Sequence, residues 1–278
     1  MSPRMPRAYL LAVVAVACSV VACSQPAQTT VTARDAAPPP PSGPVGRIRG
    51  SVSLKGSLPE AKSDPILKDQ NVCGSTAPLT RISLGKDNTV RQAFVYLEGV
   101  TAVGAAKPRA STQIEQKGCA YGPHVMTFSP GTDLEIINND PILHNVHARA
   151  STPDGLQTVF NIAQPVKGQR TKVETPLDKP GIVTLTCEAG HPWMSAYILV
   201  ANHPYVATTS DDGGFVIENV PAGTYPIKMW HEGVRLTRII PSLQQYEYET
   251  PYELTQDVVV PANGEVTVNF ALELRKQS

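Results

Sequence analysis

From residue 47 onward the chain is a series of short β-branched and aromatic runs, separated roughly every ten residues by Gly, Pro, Asn or Asp. No stretch has the apolar spacing of an amphipathic helix longer than two turns. Many short strands between regular turn signals are typical of sandwiches and barrels, so the sequence predicts an all-β fold. The predicted strands are 47–54, 80–83, 92–97, 124–128, 134–138, 145–149, 172–175, 181–186, 197–200, 206–210, 214–219, 223–230 and 258–274, the last with a break at 262–264.

A cluster of soft metal ligands lies between two of these predicted strands. Cys187, His191 and Met194 fall within eight residues. A thiolate, an imidazole and a thioether suit copper as it cycles between two oxidation states. Zinc is a weaker alternative because Met is a poor zinc ligand. The cluster predicts a copper site that needs a second imidazole from elsewhere in the chain.

Residues 131–147 supply that imidazole. They read Gly-Thr-Asp-Leu-Glu-Ile-Ile-Asn-Asn-Asp-Pro-Ile-Leu-His-Asn-Val-His, which places His144 after a turn Gly, an apolar strand and an Asn-Asn pair. Together the two motifs make about residues 110–201 resemble the plastocyanin-like cupredoxins. The resemblance implies a Greek-key β-sandwich that holds copper in the loops at one pole, and one-electron transfer as its activity.

The same resemblance assigns roles to individual residues. It implies two equatorial imidazoles, one thiolate and one axial thioether: His144, His191, Cys187 and Met194. It also implies that Asn145 joins the two ligand loops by hydrogen bonds. His147 has two candidate roles, as an extra ligand or as an outer group that touches a ligand.

The ligand loop departs from the plastocyanin pattern. It reads Cys-x3-His-x2-Met, whereas plastocyanins have Cys-x2-His-x4-Met and azurins a longer loop. The spacing equals the second half of the binuclear CuA loop, Cys-x3-Cys-x3-His-x2-Met. Val183 stands where the first cysteine of that loop would be. We therefore expect one mononuclear copper.

Apolar residues flank both ligand loops: Pro141, Ile142, Leu143, Pro192 and Trp193. We refer to these five residues as the apolar rim. Two interpretations stay open. The rim is a docking patch around the edge of His191 for a redox protein such as a cytochrome or an oxidoreductase, or it is the hydrophobic shell that keeps water off the metal.

The last third of the chain has hairpin signals. An Asp-Asp-Gly-Gly turn at 211–214 precedes alternating apolar residues, and Pro-Ala-Gly-Thr-Tyr at 221–225 leads into another strand. This region resembles the carboxypeptidase regulatory-like, transthyretin-like sandwiches, which implies a structural or interaction module with no catalytic role. Residues 46–58 resemble the first strand of the same module. Two arrangements stay open: a discontinuous sandwich interrupted by the copper domain, or a contiguous one.

The first 22 residues have the layout of a secretory signal, with Arg4 and Arg7 before an apolar run. Val20-Val21-Ala22-Cys23 resembles a bacterial lipobox, which implies that Cys23 is acylated and anchors the protein to a membrane in the periplasm. By the same resemblance Ser24 implies the outer membrane rather than the inner. An ordinary signal peptide is the alternative.

Apart from the proposed anchor Cys23, three cysteines follow this leader: Cys73, Cys119 and Cys187. An oxidising compartment favours pairing, and Cys187 is assigned to the metal, so we expect a Cys73–Cys119 disulfide. A loop of this length would stabilise the fold by roughly 4 kcal/mol. Two buried thiols are the alternative.

The chain is predicted to contain five segments. They are a signal peptide at 1–22, a Pro/Ala/Thr-rich tether at 23–46, an N-terminal β segment at 47–104, the cupredoxin-like domain at 105–202 and the regulatory-like sandwich at 203–278. Loss of Arg4 and Arg7 with the leader lowers the basic count from 24 to 22, against 24 acidic residues. This near-neutral balance gives no indication of nucleic acid binding.

The function expected from these features is single-electron carriage by a lipid-tethered periplasmic copper protein. No nucleophile triad, phosphate loop or haem motif suggests an enzyme. A protein that buffers or delivers copper is the first alternative, and a structural cell-surface β protein without metal is the second.

Overall fold

The computed structural model describes residues 43–58, 60, 62–100, 113–240 and 245–276. The predicted signal peptide, the lipidation site at Cys23 and most of the tether lie outside the described residues. So do residues 105–112, the predicted start of the copper domain. Within the described ranges, no helix has the length and apolar character needed to cross a bilayer.

Strands make up almost all of the regular structure in the described part of the chain, which confirms the predicted all-β class. The exceptions are one turn of helix, α1 (Gln70–Cys73), and a 3-10 turn at Lys86–Asn88. In chain order the strands are β1 (Val45–Lys55), β2 (Ser63–Pro65), β3 (Thr76–Pro78), β4 (Phe94–Leu97), β5 (Gln113–Gln116), β6 (Tyr121–Gly122), β7 (Val125–Phe128), β8 (Glu135–Asn138), β9 (His144–Thr152), β10 (Gly155–Gln164), β11 (Arg170–Lys172), β12 (Gly181–Thr186), β13 (Ser195–Val200), β14 (Val206–Thr208), β15 (Gly214–Pro221), β16 (Gly223–His231), β17 (Leu236–Ile240), β18 (Gln245–Tyr248), β19 (Tyr252–Val260) and β20 (Glu265–Glu273).

The middle of the chain forms what we call the central sandwich. One of its sheets has the order β10-β9-β12-β13-β7, and the other has the order β11-β8-β5-β6. Inward-facing residues of both sheets share one apolar core, with Val146 and Leu185 from the first sheet against Ile114 and Ile136 from the second. All four of these side chains are fully buried. Burial of this apolar surface is the main term that holds the two sheets together.

The segments on either side of the central sandwich build a second one, the flanking sandwich. Strand β1 pairs antiparallel with β15 and parallel with β20, forming a three-stranded sheet. Its partner sheet has the order β14-β4-β16-β19. Residues of both sheets share a core that includes Ile48, Val95 and Phe270. This pairing of β1 with β15 and β20 is the one expected if the flanking sandwich is discontinuous and interrupted by the central sandwich. The exact segment boundaries stay predictions.

Strand β13 serves both sandwiches, and all six of its residues are buried. Alternate residues of a strand point to opposite faces. One face, which carries Ala196 and Ile198, packs in the central core. The other face packs Tyr197 against Trp230 of β16, with ring centroids 5.1 Å apart. A third apolar cluster therefore connects the two sandwiches.

A buried charged cluster lies beside this junction. Glu232, which follows β16, is 5% exposed and contacts His124 Nε2 through Oε1. Its Oε2 lies 3.6 Å from an Arg81 guanidinium nitrogen. Arg81 also stacks 3.5 Å from the ring centroid of Tyr248. The cluster joins the N-terminal segment, the central sandwich and the flanking sandwich by charge pairing that is largely shielded from solvent.

Several strand predictions differ from the structure. Strands β5, β6, β17 and β18 were not predicted, and the predicted strand 172–175 overlaps β11 only at Lys172. Residues 80–83 are not a strand, because Thr80 makes only an isolated bridge to Arg235 and Arg81 turns into the charged cluster. Strand β10 was not predicted, although its sequence carries a signal. The Asp154-Gly155 turn and the alternating apolar residues after it are typical of the hairpin that β9 and β10 form.

Candidate metal centre

The strand ends place the predicted ligands at one pole of the central sandwich. His144 begins β9, and Cys187 directly follows β12. Strand β12 pairs antiparallel with β9 on one side and with β13 on the other. The pairing of Thr186 with Ser195 closes residues 187–194 into a loop between β12 and β13. This register brings the loop beside the start of β9.

Three ligand atoms converge at this pole. The Nδ1 atoms of His144 and His191 are 3.1 Å apart, and Cys187 Sγ lies 3.9 Å from the first and 3.6 Å from the second. A metal ion equidistant from the three atoms would lie about 2.1 Å from each, a length in the range of metal–nitrogen and metal–thiolate bonds. All three side chains are at most 2% exposed. The donor set and its spacing therefore fit one metal ion.

The ligand loop turns sharply between its thiol and its imidazole. Gly190 has a φ of 95°, a backbone conformation that glycine adopts without steric cost. The next turn is closed by the Met194 N–H, which donates to the His191 carbonyl at 3.0 Å. Met194 is buried in the same apolar cluster as Cys187. Met194 thus ends the loop that carries the other two ligands, with its side chain in the apolar core of the central sandwich.

Both imidazoles are oriented by carboxylates on their outer nitrogens. His144 Nε2 lies 2.9 Å from Asp140 Oδ2, and His191 Nε2 lies 3.1 Å from Asp69 Oδ2. An imidazole that donates its Nε2–H to a carboxylate keeps an Nδ1 lone pair free for a metal. The two carboxylates therefore select the tautomer in which both Nδ1 atoms face the centre.

Asp140 is itself held firmly. Its two oxygens accept hydrogen bonds from the backbone N–H groups of Gly118 at 2.8 Å and Cys119 at 2.9 Å. Burial alone would raise the pKa of Asp140, but these N–H groups and His144 outweigh burial and lower it. The side chain is thus a carboxylate at neutral pH and a ready acceptor for the His144 N–H.

The protonation of the free site follows from its burial. Burial raises the pKa of the Cys187 thiol, against the opposing effect of the Asn145 and Ala189 N–H groups and the Tyr121 hydroxyl. Burial and the neighbouring His144 lower the pKa of His191, despite its contact with Asp69. The metal-free site thus favours a thiol and a neutral His191. Metal binding must release the thiol proton, so uptake strengthens as the pH rises.

Asn145 joins the two ligand loops, as the family resemblance implies. Its Oδ1 accepts the Glu188 N–H at 2.6 Å, and its Nδ2 donates to Asn161 Oδ1 at 2.7 Å. The first bond ties the residue after His144 to the residue after Cys187. It therefore fixes the distance between an imidazole loop and the thiolate loop.

Replacing Asn145 with alanine is expected to lower copper affinity by roughly 10–100-fold, as loss of such outer partners does in other metal sites. The reason is that Glu188 N–H loses its acceptor and the thiolate loop loosens. Competition of the purified protein against a Cu(II) chelator measures the change. Asn269→Ala, in the flanking sandwich, is the matched control and should leave affinity unchanged. Equal affinities for both variants would contradict a positioning role for Asn145.

His147 does not join the ligand group. It lies on the opposite face of β9 from His144 and Val146, and both of its ring nitrogens have other partners. Nδ1 lies 2.7 Å from Glu188 Oε1, and Nε2 lies 2.7 Å from Thr158 Oγ1. Between its two candidate roles, the geometry favours an outer group on the ligand loop over an extra ligand.

Residues 63–78 form a feature that the sequence did not predict, which we call the strap. It consists of β2, α1 and β3, and it lies over the metal pole. Asp69 contacts His191, and Lys68 Nζ donates to the Ala189 carbonyl at 2.6 Å. The Cys73–Cys119 disulfide, the pair expected from the sequence, fastens the strap to the central sandwich.

The strap changes the interpretation of the apolar rim. A docking patch around His191 expects the edge of that imidazole to face solvent, but His191 is 0% exposed and its outer nitrogen faces Asp69. Trp193 packs edge-on to His191 and donates its indole N–H to the Cys119 carbonyl at 3.1 Å. Ile142, Pro192 and Trp193 are half-buried, whereas Pro141 and Leu143 are exposed. Between the two interpretations, the partial burial of Ile142, Pro192 and Trp193 beside the ligands favours the hydrophobic shell.

Sequence reasoning missed four residues at the site: Lys68, Asp69, Tyr121 and Asp140. Asp140 carried a signal, because it lies four residues before His144 in the quoted motif. Tyr121 donates to the Asn145 carbonyl at 2.5 Å and lines the thiol. Lys68 and Asp69 carried none, since nothing in their own segment indicates which pole it crosses.

Comparisons with known proteins add the following. No protein-family model matches the chain. A search of curated proteins finds no match. Among solved structures, a purple cupredoxin from Nitrosopumilus maritimus is similar at 20% identity over 33% of this chain and 100% of that chain, with a TM-score of 0.28. Auracyanin A from Chloroflexus aurantiacus is similar at 19% identity over 32% of this chain and 96% of that one, with a TM-score of 0.27. A copper-containing nitrite reductase from Thermus scotoductus is similar at 20% identity over 37% of this chain and 24% of the reductase, with a TM-score of 0.27.

Proposed function

We propose that this protein binds one copper ion and carries single electrons between redox partners in the periplasm, tethered to the outer membrane through a lipid on Cys23. One observation carries the copper assignment. Two imidazole Nδ1 atoms and one thiolate sulfur converge within 3.9 Å in a buried site. A thiolate and two imidazoles with a nearby thioether are the donor set of mononuclear electron-transfer copper.

The chain's own groups favour fast electron exchange. Bound copper would supply a one-electron couple at this site. Asp140, Asp69 and Asn145 hold the ligands before any metal arrives, and the buried setting excludes water. A site that keeps one geometry in both oxidation states needs little reorganisation when its charge changes. The arrangement therefore supports electron carriage.

The direct test is to add Cu(II) to the purified protein and record its visible absorption and electron paramagnetic resonance. We expect an intense thiolate-to-copper band that saturates at one copper per chain. A reversible redox titration with fast self-exchange supports electron carriage. A weak spectrum of nitrogen and oxygen ligation alone would show that Cys187 does not bind and would remove the proposal.

A Cu(I) buffering or delivery role is the second candidate, and the strap favours it. With His191 fully covered, the site lacks the exposed ligand edge that brings a redox partner close. Tight Cu(I) binding without a stable Cu(II) form would support this role over electron carriage. A structural cell-surface protein, the third alternative, predicts no stoichiometric copper at all.

The partner and the membrane tether are further parts of the proposal. Exposed Pro141 and Leu143 provide apolar surface beside the His144 loop for a cytochrome or an oxidoreductase. For the tether, we expect labelled palmitate to enter the wild-type protein in bacterial cells and not the Cys23→Ala variant. Equal labelling of the two proteins would place the lipid elsewhere, and no labelling of either would favour an ordinary signal peptide.

A further inference from the structure

The disulfide lies directly against the ligand group. The sulfurs of Cys73 and Cys119 and one ring nitrogen of His191 all fall within 4.8 Å of one another. Cys119 Sγ also lies within 4.8 Å of a ring nitrogen of His144 and of an Asp140 oxygen. A disulfide whose only role was to close a chain loop could lie anywhere along the strap. The Cys73–Cys119 disulfide instead lies next to both imidazole ligands.

A cavity gives access to the same sulfurs. Its volume is about 370 Å³, and its walls include Cys73, Cys119, Trp193 and Met194. Cys73 is half-buried at the end of α1, whereas Cys119 is 1% exposed. A small reagent can therefore approach the bridge from the cavity and from the Cys73 side. Met194, the proposed axial ligand, lines the same cavity.

We propose that Cys73, Cys119 and His191 form a second metal site, for Cu(I), when the disulfide is reduced. Two thiolates and an imidazole are a soft donor set that selects Cu(I) over harder cations. The site shares His191 with the copper centre proposed above, so only one of the two positions is filled at a time, and it does not need Cys187. Copper that arrives as Cu(I) would thus have a binding position next to the centre formed by His144, Cys187 and His191.

The reduction step requires a dithiol donor. One donor thiolate attacks a sulfur of the bridge and forms a mixed disulfide, and the second donor thiolate then displaces the protein thiolate. Two electrons and two protons pass to Cys73 and Cys119, and the donor leaves as its own disulfide. Cu(I) then replaces the two thiol protons, which go to solvent, and bonds to both sulfurs without a change in its oxidation state.

The test uses the full chain carrying Cys187→Ala, so that the first site lacks its thiolate. The protein is prepared with the disulfide intact, or reduced with a dithiol and freed of reagent without air, and Cu(I) is titrated against a colorimetric Cu(I) chelator. We expect reduction to raise Cu(I) affinity roughly 100-fold or more, with saturation at one Cu(I) per chain, since thiolates are the preferred Cu(I) ligands. X-ray absorption should show two sulfur neighbours.

Three further variants in the Cys187→Ala background locate the ion. Cys73→Ser with Cys119→Ser removes only these two sulfurs from that background and should bind no Cu(I). His191→Gln removes a ligand and should weaken binding by about 100-fold or more, beyond the loss typical of an outer partner. His203→Gln, a buried imidazole of the flanking region that accepts the Tyr205 N–H, should not weaken it.

Equal Cu(I) binding before and after reduction, binding that survives the double serine variant, or an unchanged affinity in His191→Gln would each overturn the second site. Loss of near-ultraviolet circular dichroism on reduction would overturn it too, because the strap must stay in place to form it. None of these outcomes is evidence against the proposed function of electron carriage. Electron carriage is instead excluded if the wild-type protein with its disulfide intact gives no thiolate-to-Cu(II) band.

Discussion

Replacing Cys187 with alanine is expected to abolish the intense thiolate-to-Cu(II) absorption band and to lower Cu(II) affinity by more than about 100-fold, beyond the loss typical of an outer partner. Among the described residues, Cys187 is the sole thiol within reach of the two Nδ1 atoms while the disulfide is intact. Without it, two imidazoles and a thioether remain, which hold copper weakly. Visible absorption and chelator competition measure both effects.

His147→Gln is the matched comparison for this variant. His147 lies three residues from His144 but has both ring nitrogens engaged by Glu188 and Thr158. The band should therefore persist in the glutamine variant with one copper per chain. Loss of the band in His147→Gln, with the fold intact, would show that His147 is a ligand after all. A band that survived Cys187→Ala would place the copper elsewhere in the chain.

The parts of the site that the sequence predicted are local ones. His144 begins β9 and Cys187 directly follows β12, where the alternating pattern indicates which residue begins the loop. Because β12 pairs with both β9 and β13, these two ligands share a pole. His191 lies within the loop between β12 and β13, and its spacing from Cys187 in the short motif was sufficient to predict it.

The parts that the sequence could not predict depend on distant contacts. Asp69 reaches His191 across 122 positions, and no pattern in Lys68-Asp69-Gln70 encodes that contact. The strap is short and lies outside both sheets of the central sandwich, so strand periodicity says nothing about it. The covered state of His191, which decides between docking patch and shell, therefore became visible only in three dimensions.

The charged cluster at the junction of the two sandwiches gives the second large expected effect. Replacing Glu232 with glutamine should lower the free energy of unfolding by about 3 kcal/mol or more, as breaking a buried ion pair by removing one partner does. Arg81 would keep a buried positive charge without its carboxylate, and His124 would lose its anionic neighbour. Urea unfolding of the metal-free protein at about pH 6 measures the loss.

A matched substitution separates this effect from charge removal in general. Glu273 pairs with Lys55 on the surface of the flanking sandwich, with both side chains more than half exposed. Because exposed pairs contribute little, Glu273→Gln should change the free energy of unfolding by less than about 1 kcal/mol. Equal losses for the two variants would show that the Glu232 cluster has no special role in joining the sandwiches.

The difference in the free energy of unfolding between wild type and Glu232→Gln depends on pH in a way that identifies which groups pair with Glu232. Burial opposes the charge on His124, but Glu232 outweighs burial and raises the pKa of that imidazole above its ordinary value. Burial would raise the pKa of Glu232, but His124 and Arg81 lower it instead. An imidazole whose pKa is raised by folding makes its full contribution to stability when the pH is below its ordinary pKa of 6.5. That contribution is lost as the pH rises through the folded-state pKa. A carboxyl group whose pKa is lowered by folding makes its full contribution to stability when the pH is above its ordinary pKa of 4.5. That contribution is lost as the pH falls through the folded-state pKa.

The difference in the free energy of unfolding should therefore be largest between about pH 5 and pH 6 and should shrink as the pH rises through the raised folded-state pKa of His124. It should not vanish above that pKa, because Arg81 keeps its charge beside Glu232. When His124 is also replaced by glutamine, the effect of Glu232→Gln on the free energy of unfolding should no longer change with pH over this range. A difference that grew with pH would mean that Glu232 and His124 do not pair in the folded protein, and the junction would then depend on Tyr197 and Trp230 packing alone.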